Sequence, residues 1–386
     1  QLSAPLSAGE SIHSFQLTPD GAHAVYLLAH DTIVAPLGEL WVAPVDGSAP
    51  AFSLDPSWSC VVGASEYALS ADSSKVVFRA YASSIEVLAV VPLDGSALPA
   101  PLDPGMDTGP GFVLTPDSSR AVFINVSGVN GPWWLRSAPL DRSAPPVLLA
   151  QRAFPGAGIH GRLLVTGDSA TVVYTADQEV DEVSELHGVK LDGGSTPVKL
   201  SGSLTSGGDV DPLSVRISAD GARVAYVADA LVDGVSELFS VPTHGGAPPQ
   251  RLNASLVSGG DVASFALSSD SARAVYGADQ LTDGVDELFS APLNGSSAPL
   301  RLNGALVAGG DVAADVQLSA NGARVVYRAD QLQDDVTELF SVPLDGSAPA
   351  VRLDPGMVAG GDVEVARISP DSTRVAYLAD QEIDSR

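Results

Sequence analysis

LSSDSARAVYGADQLTDGVDELFSAPLNGSSAPLRL, residues Leu267 to Leu302, is the stretch of sequence from which the fold follows. Short segments in which apolar and polar residues alternate are separated by a Ser-Asp turn, an acidic loop and an Asn-Gly turn. Alternation with a period of two is typical of β-strands, and Asn-Gly is a strong signal for a tight hairpin turn. The stretch therefore predicts two consecutive β-hairpins.

The same pattern recurs along the whole chain at intervals of 45 to 52 residues. Each copy contains a turn of the form S/T-x-D/N-G/S, followed by a strand that includes Tyr or Phe. The turn residues are Asp20, Asp72, Asp117, Asp168, Asp220, Asp270, Asn321 and Asp371. A repeat of about fifty residues with four strand-like segments and no helical pattern is typical of a β-propeller blade. We predict an all-β fold, a β-propeller of about eight four-stranded blades, seven complete and the last incomplete.

The repeat also predicts how the chain is organised into domains. Each copy needs its neighbours to bury its faces, so we expect one β-propeller domain over residues 1–386. The inner hairpins are expected near residues 15–26, 67–78, 112–123, 163–174, 215–226, 265–276, 316–327 and 366–377.

Charge limits the classes of partner. The chain has 47 acidic and 20 basic residues and a formal net charge of −27. Such a surface repels nucleic acid and anionic membranes, so we expect no nucleic acid partner and no membrane insertion. No apolar run reaches the ~18 residues of a transmembrane helix. Cations or a basic protein surface fit this charge better.

The two ends of the sequence carry further expectations. The first residue is Gln1 rather than Met, which favours a mature exported protein in the periplasm, at the cell surface or outside the cell. The eighth copy reaches Tyr377 and stops at Arg386 without its outer two strands. A longer protein, the N-terminal segment, or a strand donated by a neighbouring molecule would complete it. Strand donation would produce a head-to-tail surface assembly or filament.

Two segments carry a resemblance to a known family. Residues 217–226 read ISADGARVAY, and residues 338–346 read ELFSVPLDG. This repeat resembles the TolB-like, WD-repeat-like β-propeller repeat of bacterial exported proteins, and the resemblance covers the whole chain. It implies the propeller fold. It leaves the function open, since such repeats occur in scaffolds, in partners of envelope lipoproteins and in the non-catalytic domain of peptidases.

Acidic loops precede the inner strands of the later blades. These entering loops contain Gly-Gly-Asp, and their aspartates are Asp209, Asp261, Asp311 and Asp362. We expect these carboxylates to surround the mouth of a central channel and to create a focused negative potential there.

A second acidic loop connects the second and third strands of each later blade. Its carboxylates fall at the first, fifth and ninth places, and a glycine stands at the sixth place in two copies, which matches part of a calcium-binding loop. The candidate ligands are Asp177, Glu179, Asp181, Glu185, Asp229, Asp233, Glu237, Asp279, Asp283, Glu287, Asp330, Asp334, Glu338, Asp380, Glu382 and Asp384. The third place departs from the motif, because it is Leu231, Leu281 or Leu332 in three copies. The alternative to calcium is a solvated acidic turn whose leucine points inwards.

Catalytic signatures are missing from the sequence. It has no G-x-S-x-G elbow, and its six histidines form no H-x-x-x-H or H-E-x-x-H pair. We therefore predict no catalytic residues and no cofactor other than calcium. The predicted function is that of a non-catalytic exported binding or assembly scaffold, which uses an acidic face to bind a protein partner or another copy of itself. The rival hypothesis is a carbohydrate-active lyase or hydrolase with its site at the channel mouth.

Overall fold

The structure is a computed structural model that describes residues 2–3, 5–30, 37–55, 59–61, 67–82, 85–104, 107–126, 133–151, 158–358 and 360–381. Within these ranges every regular element is a β-strand. The described part of the chain offers no helix that could span a membrane.

The first three repeats form strands of up to eight residues. Their bounds are β1 Glu10–Leu17, β2 His23–His30, β3 Leu37–Pro44, β4 Phe52–Ser53, β5 Ser59–Val61, β6 Tyr67–Leu69, β7 Lys75–Ala82, β8 Ile85–Pro92, β9 Ala100–Pro101, β10 Asp107–Leu114, β11 Arg120–Val126, β12 Trp133–Pro139 and β13 Val147–Gln151. Strand β5 pairs with both β3 and β7 and so joins the first two repeats into one nine-stranded sheet.

The next four repeats are more regular. Their strands are β14 Ile159–Val165, β15 Thr171–Ala176, β16 Glu185–Lys190, β17 Val198–Lys199, β18 Arg216–Ile217, β19 Arg223–Ala228, β20 Glu237–Pro242, β21 Gln250–Arg251, β22 Val262–Leu267, β23 Arg273–Ala278, β24 Glu287–Pro292, β25 Leu300–Arg301, β26 Gln317–Leu318, β27 Arg324–Ala329, β28 Glu338–Pro343 and β29 Val351–Arg352. Each repeat is a four-stranded antiparallel sheet in chain order, and these four sheets are blade four (β14–β17), blade five (β18–β21), blade six (β22–β25) and blade seven (β26–β29). The eighth repeat contributes β30 Val363–Ile368 and β31 Val375–Ala379, which pair only with each other among the described residues.

These sheets confirm the predicted fold class, an all-β β-propeller of eight blades with the last one incomplete over the described residues. The chain divides into two compact units, Gln1–Glu182 with His187–Val198, and Val183–Leu186 with Lys199–Arg386. The single domain over residues 1–386 stays a prediction.

Aromatic pairs fix the register inside the later blades. Tyr276 on β23 lies opposite Phe289 on β24, and the two rings stack with centroids 5.3 Å apart. The equivalent pairs are Tyr226 with Phe239 and Tyr327 with Phe340. All three tyrosines are fully buried. Because stacked aromatic pairs add to area burial, this repeated pair explains why Tyr or Phe marks the second strand of each copy.

The Ser-Asp turns hold the inner hairpins and link neighbouring blades. The Ser268 hydroxyl donates to Asp270 at 2.6 Å, and Asp270 also accepts from the backbone N–H of Ala272. Ser271 has a φ of 61°, a conformation that favours glycine, yet its hydroxyl accepts a hydrogen bond from the Asp220 backbone N–H of the preceding blade at 2.9 Å. This bond offsets the backbone cost of a serine at that place.

Candidate functional site

The first-place aspartates of the acidic loops join two loops of the same blade. In blade five, the Asp229 carboxylate accepts hydrogen bonds from the backbone N–H groups of Gly234, at 2.9 Å, and of Asp209 in the entering loop. In blade six, Asp279 accepts from Gly284, at 3.0 Å, and from Asp261. The structure therefore brings the first-place and the Gly-Gly-Asp aspartates together.

Blades four, seven and eight have the hydrogen bond from the entering loop to the first-place aspartate. Asp177, Asp330 and Asp380 accept hydrogen bonds from the backbone N–H groups of Gly158, Asp311 and Asp362. These first-place carboxylates act as caps on the backbone of the entering loop. The predicted ligands Glu382 and Asp384 lie outside the described residues.

The Gly-Gly-Asp aspartates connect each blade to the one before it. The Asp261 carboxylate accepts from the backbone N–H of Ser236 at 2.6 Å, and the Ser236 carbonyl accepts from Val262 at 2.9 Å. We call these two bonds the inter-blade pair. The carboxylates of Asp209, Asp311 and Asp362 make the same bond to Ser184, Asp286 and Thr337, at 2.5, 2.8 and 2.6 Å. The residues predicted to surround a channel mouth thus have a structural partner in the preceding blade.

The second glycine of the entering loop is required by close approach to backbone, and the first glycine by its positive φ, which is 90° at Gly259. A Cβ atom on Gly260 would lie 2.7 Å from the carbonyl oxygen of Asp279, and one on Gly208 would lie 2.5 Å from that of Asp229. A Cβ on Gly259 would lie 2.7 Å from the Asp283 carboxylate. In blade six, the fifth-place Asp283 therefore lies over Gly259, and the backbone carbonyl of the first-place Asp279 lies against Gly260.

The ninth-place glutamates pair with basic side chains of the outer strands, and Glu338 also accepts a hydrogen bond from the Leu332 backbone N–H of its own loop at 2.7 Å. Glu237 and Glu287 are buried and form ion pairs of 2.7 Å with Arg251 and Arg301 on the outer strands of their own blades. Glu185 pairs with Lys199 at 2.6 Å, and Glu338 pairs with Arg352 at 3.0 Å. Burying an ionised carboxylate is costly unless it is paired in this way. The first and ninth places therefore do not form a shared set of ligands.

The third-place leucines lie in solvent, so the expectation that they point inwards is wrong. Leu231, Leu281 and Leu332 are 55%, 52% and 54% exposed. The side chain that turns inwards is the second-place residue, Gln280 in blade six, which is 3% exposed. Its amide oxygen accepts from the Ala254 backbone at 2.9 Å and from the Tyr276 hydroxyl at 3.0 Å.

A signal for this inward glutamine was present in the sequence. A glutamine stands four residues after the second-strand tyrosine in four blades, and each is hydrogen-bonded to its tyrosine. The pairs are Tyr174 with Gln178, Tyr276 with Gln280, Tyr327 with Gln331, and Tyr377 with Gln381.

One loop gathers an excess of negative charge. Asp286 stands where Ser184, Ser236 and Thr337 stand in other blades. Burial, and then the neighbouring carboxylates of Asp279 and Asp311, raise the pKa of Asp286 above its ordinary value. The described residues nevertheless contain no group of three or more His, Cys, Asp or Glu side chains placed to hold a metal ion.

Most of the remaining predicted ligands are exposed surface residues, and Asp177 lies beside His160. Glu179, Asp181, Asp233, Asp283 and Asp334 are exposed at the loop tips. Asp177 lies 3.3 Å from the imidazole Nε2 of His160 as well as capping Gly158. The described first-place carboxylates thus bind backbone N–H groups, and the ninth-place glutamates pair with Arg or Lys.

Comparison with known proteins is informative only at the level of structure. No family model matches the sequence, and no curated protein matches it. An oligogalacturonate lyase solved in complex with manganese has 12% sequence identity, with 85% of this chain and 87% of that chain covered and a TM-score of 0.45. A putative TolB from Agrobacterium tumefaciens has 16% identity, with 63% and 79% covered and a TM-score of 0.35.

A structure from a study of two prolyl endopeptidases has 15% identity and a TM-score of 0.46. That likeness covers 96% of this chain but 54% of the endopeptidase, so the chain spans about half of that protein's length. Likenesses this distant assign no activity to the present chain.

Proposed function

We propose that this protein is a non-catalytic exported scaffold that binds a basic protein surface. Its contact region would be the leucine loops, which we define as residues 231–233, 281–283 and 332–334 of blades five to seven. Each loop presents an exposed leucine two residues before an exposed aspartate. This repeated pairing of an apolar side chain with a carboxylate is the observation that carries the proposal.

The energetics favour a partner that is both basic and apolar. Fully burying a leucine side chain contributes about 1.5–3 kcal/mol, and because these three leucines are 52–55% exposed, the part that a partner can still cover contributes roughly half of that at each loop. The formal net charge of −27 would accelerate association with a basic partner and repel acidic ones.

The absence of a catalytic role is supported by how the acidic loops use their carboxylates. Asp261 and Asp279 accept backbone hydrogen bonds, and Glu287 is paired with Arg301. Groups held in this way stabilise the fold and are poorly placed to exchange protons with a substrate. Calcium is not needed by the proposal either, because the predicted first- and ninth-place ligands have these other partners.

The proposal is tested with a synthetic amphipathic peptide of lysine and leucine as a probe. We expect the chain to bind this peptide, and we expect the combined variant Leu231→Ser, Leu281→Ser and Leu332→Ser to bind at least about tenfold more weakly. A matched control is Leu213→Ser, which changes a leucine that is 71% exposed outside the leucine loops. Equal affinity of the combined variant and the unmodified chain would reject the proposal.

A further inference from the structure

The turn between β24 and β25 of blade six carries an amide where five equivalent turns carry a carboxylate. The Asn294 Oδ1 in this turn accepts a hydrogen bond from the Ser296 backbone N–H at 3.0 Å. In blade seven, the Asp345 Oδ1 accepts from the Ser347 N–H at the same distance. The other aspartates at this place are Asp46, Asp94, Asp141 and Asp192. An aspartate at position 294 would therefore keep the hydrogen bond that defines the turn.

Two of these carboxylates act on the basic residue that begins the second strand of the preceding blade. Asp345 and Arg273, of blades seven and six, both line a cavity of about 970 Å³. Burial lowers the pKa of Arg273, and the carboxylate of Asp345 partly opposes this effect. In the third repeat, hydrogen bonds from Ser143 and, to a smaller extent, the charge of Lys75 in the second repeat lower the pKa of Asp141.

The same relationship, moved by one blade, places Asn294 of blade six beside Arg223 of blade five. Both residues line the cavity of about 970 Å³. Burial lowers the pKa of Arg223 as it lowers that of Arg273. Position 294, however, offers Arg223 an amide in place of a carboxylate. Because a hydrogen bond between two charged groups is stronger than one to a neutral group, a carboxylate there would be favourable.

Asn-Gly pairs deamidate readily, because glycine has no side chain that hinders attack by its nitrogen. Three such pairs lie in the described residues, at Asn294, Asn303 and Asn321. Asn303 is 5% exposed, and its amide is hydrogen-bonded at both ends, to the Leu288 N–H and to the Gly304 carbonyl. Its side chain is therefore held away from the reaction.

The two remaining pairs differ in how firmly the side chain is held. The Asn321 Oδ1 accepts hydrogen bonds from the Ser319 hydroxyl, at 2.7 Å, and from the Ala323 N–H, at 3.1 Å. Its neighbour Gly322 is buried. Asn294 and Gly295 are both exposed, and the Asn294 Oδ1 accepts the single bond from Ser296. The structure thus ranks Asn294 as the most reactive of the three.

We propose that Asn294 deamidates spontaneously in the folded chain, ahead of Asn321 and Asn303, and that the resulting carboxylate pairs with Arg223. This modification site is independent of the leucine loops, because it involves a different part of each blade.

The reaction needs only water and the turn itself. The Gly295 nitrogen attacks the side-chain carbonyl carbon of Asn294, and its proton leaves with the side-chain nitrogen as ammonia. Water then opens the succinimide to aspartate or isoaspartate. In the closed turn the Gly295 N–H donates to the Pro292 carbonyl at 2.9 Å, so the turn must open before the attack. We therefore expect a slower reaction than in a short peptide of residues 290–299.

The first test incubates the folded full chain at mildly alkaline pH and follows each asparagine by peptide mapping with mass spectrometry. We expect acid to form at Asn294 several-fold faster than at Asn321, and last at Asn303. Asn294→Gln should remove the early acidic species and leave the rate at Asn321 unchanged, because the longer side chain closes a less favourable ring. Earlier conversion of Asn321 or Asn303 would overturn the proposal, as would an intact Asn294 after the short peptide has fully reacted.

The second test examines the pairing with Arg223. We expect Asn294→Asp to raise the melting temperature at neutral pH, with a smaller gain in high salt. The gain should disappear when Arg223→Gln is present in both chains that are compared. Ser297→Asp is the control, since it adds the same charge to an exposed residue outside the lining of the cavity. No gain from Asn294→Asp, or an equal gain without Arg223, would overturn the pairing.

Discussion

The carboxylate of Asp261 and the backbone N–H of Ser236 lie 2.6 Å apart and join blade six to blade five. A charged acceptor makes this a stronger bond than a neutral pair would. The bond recurs with the other Gly-Gly-Asp aspartates, so blades five to eight are each tied to the preceding blade by the same atoms.

Removing this carboxylate should destabilise the fold. We expect Asp261→Ala to lower the free energy of unfolding by about 1–3 kcal/mol, because the Ser236 N–H loses a charged acceptor. Asp261→Asn keeps an acceptor oxygen and should lose less. Urea denaturation provides the measurement, with Asp283→Ala at an exposed loop tip as control. Equal stability of Asp261→Ala and the control would contradict the structural role.

A glycine at the sixth place of the blade-seven acidic loop should stabilise the fold. Gly234 and Gly284 have φ angles of 74° and 72° there, and Asp335 adopts 59° at the same place in blade seven. A residue with a side chain pays a steric cost in this conformation. We expect Asp335→Gly to raise stability by up to about 1 kcal/mol, although glycine also loses more entropy on folding. The reverse change, Gly284→Ala, should lower it by about 1 kcal/mol. A lower melting temperature for Asp335→Gly would refute the argument.

The charge cluster of blade six should make stability depend on pH. Because the pKa of Asp286 is raised in the folded chain, the folded state holds this proton to a higher pH than the unfolded state, and stability falls as pH rises above the ordinary value of 3.8. Asp286→Ser keeps the backbone N–H that donates to Asp311 and removes the charge. We therefore expect this variant to be more stable than the unmodified chain at neutral pH, with little difference at about pH 3 and a smaller gain in high salt. Asp283→Ser is the control.

Asp55 should produce a second pH effect. It is fully buried, its Oδ1 accepts from the Leu40 backbone at 2.8 Å, and burial raises its pKa to about 7. Stability should therefore fall between pH 3.8 and about 7, by at most about 1.4 kcal/mol for each pH unit. Asp55→Asn should remove this slope, because Asn253 and Asn303 accept the equivalent backbone bond in blades five and six.

Asp354 is the matched contrast to Asp55. It occupies the same place in blade seven. Burial alone would raise its pKa, but the hydrogen bond from Arg352 and its other hydrogen bonds outweigh this effect. The pKa of Asp354 therefore lies below 3.8. Its ionised form contributes stability above that value, which is lost as pH falls. Asp354→Asn should therefore destabilise the chain at neutral pH. Thermal melts of Asp55→Asn and Asp354→Asn across the pH range would test both predictions. The same dependence of melting temperature on pH in the two variants would contradict them.

The parts of the fold that follow from period and pattern were predictable. The turn at Asp270, the strand that contains Tyr276 and the glycine at position 284 each follow from local chemistry that the sequence states directly. The two-stranded eighth blade of the described residues agrees with the count of third strands in the sequence.

The parts that depend on backbone partners were not predictable in the same way. Nothing in the residue type of Ser236 indicates that its N–H would bind Asp261, because every residue except proline carries that donor. The expectation that Leu281 points inwards was wrong, although an apolar residue is usually the buried one. Here the hydrogen bonds of Gln280 to Tyr276 and Ala254 decide it.

The inter-blade pair has an evolutionary consequence. In blades five to eight, the entering segment carries the aspartate that accepts one bond and the N–H that donates the other, and the preceding blade contributes only main-chain groups, so a duplicated unit of about fifty residues would bring the side chain that this attachment needs. For this one contact, a duplicated unit would need no new side chain on the blade that it joins, because any residue except proline supplies the N–H.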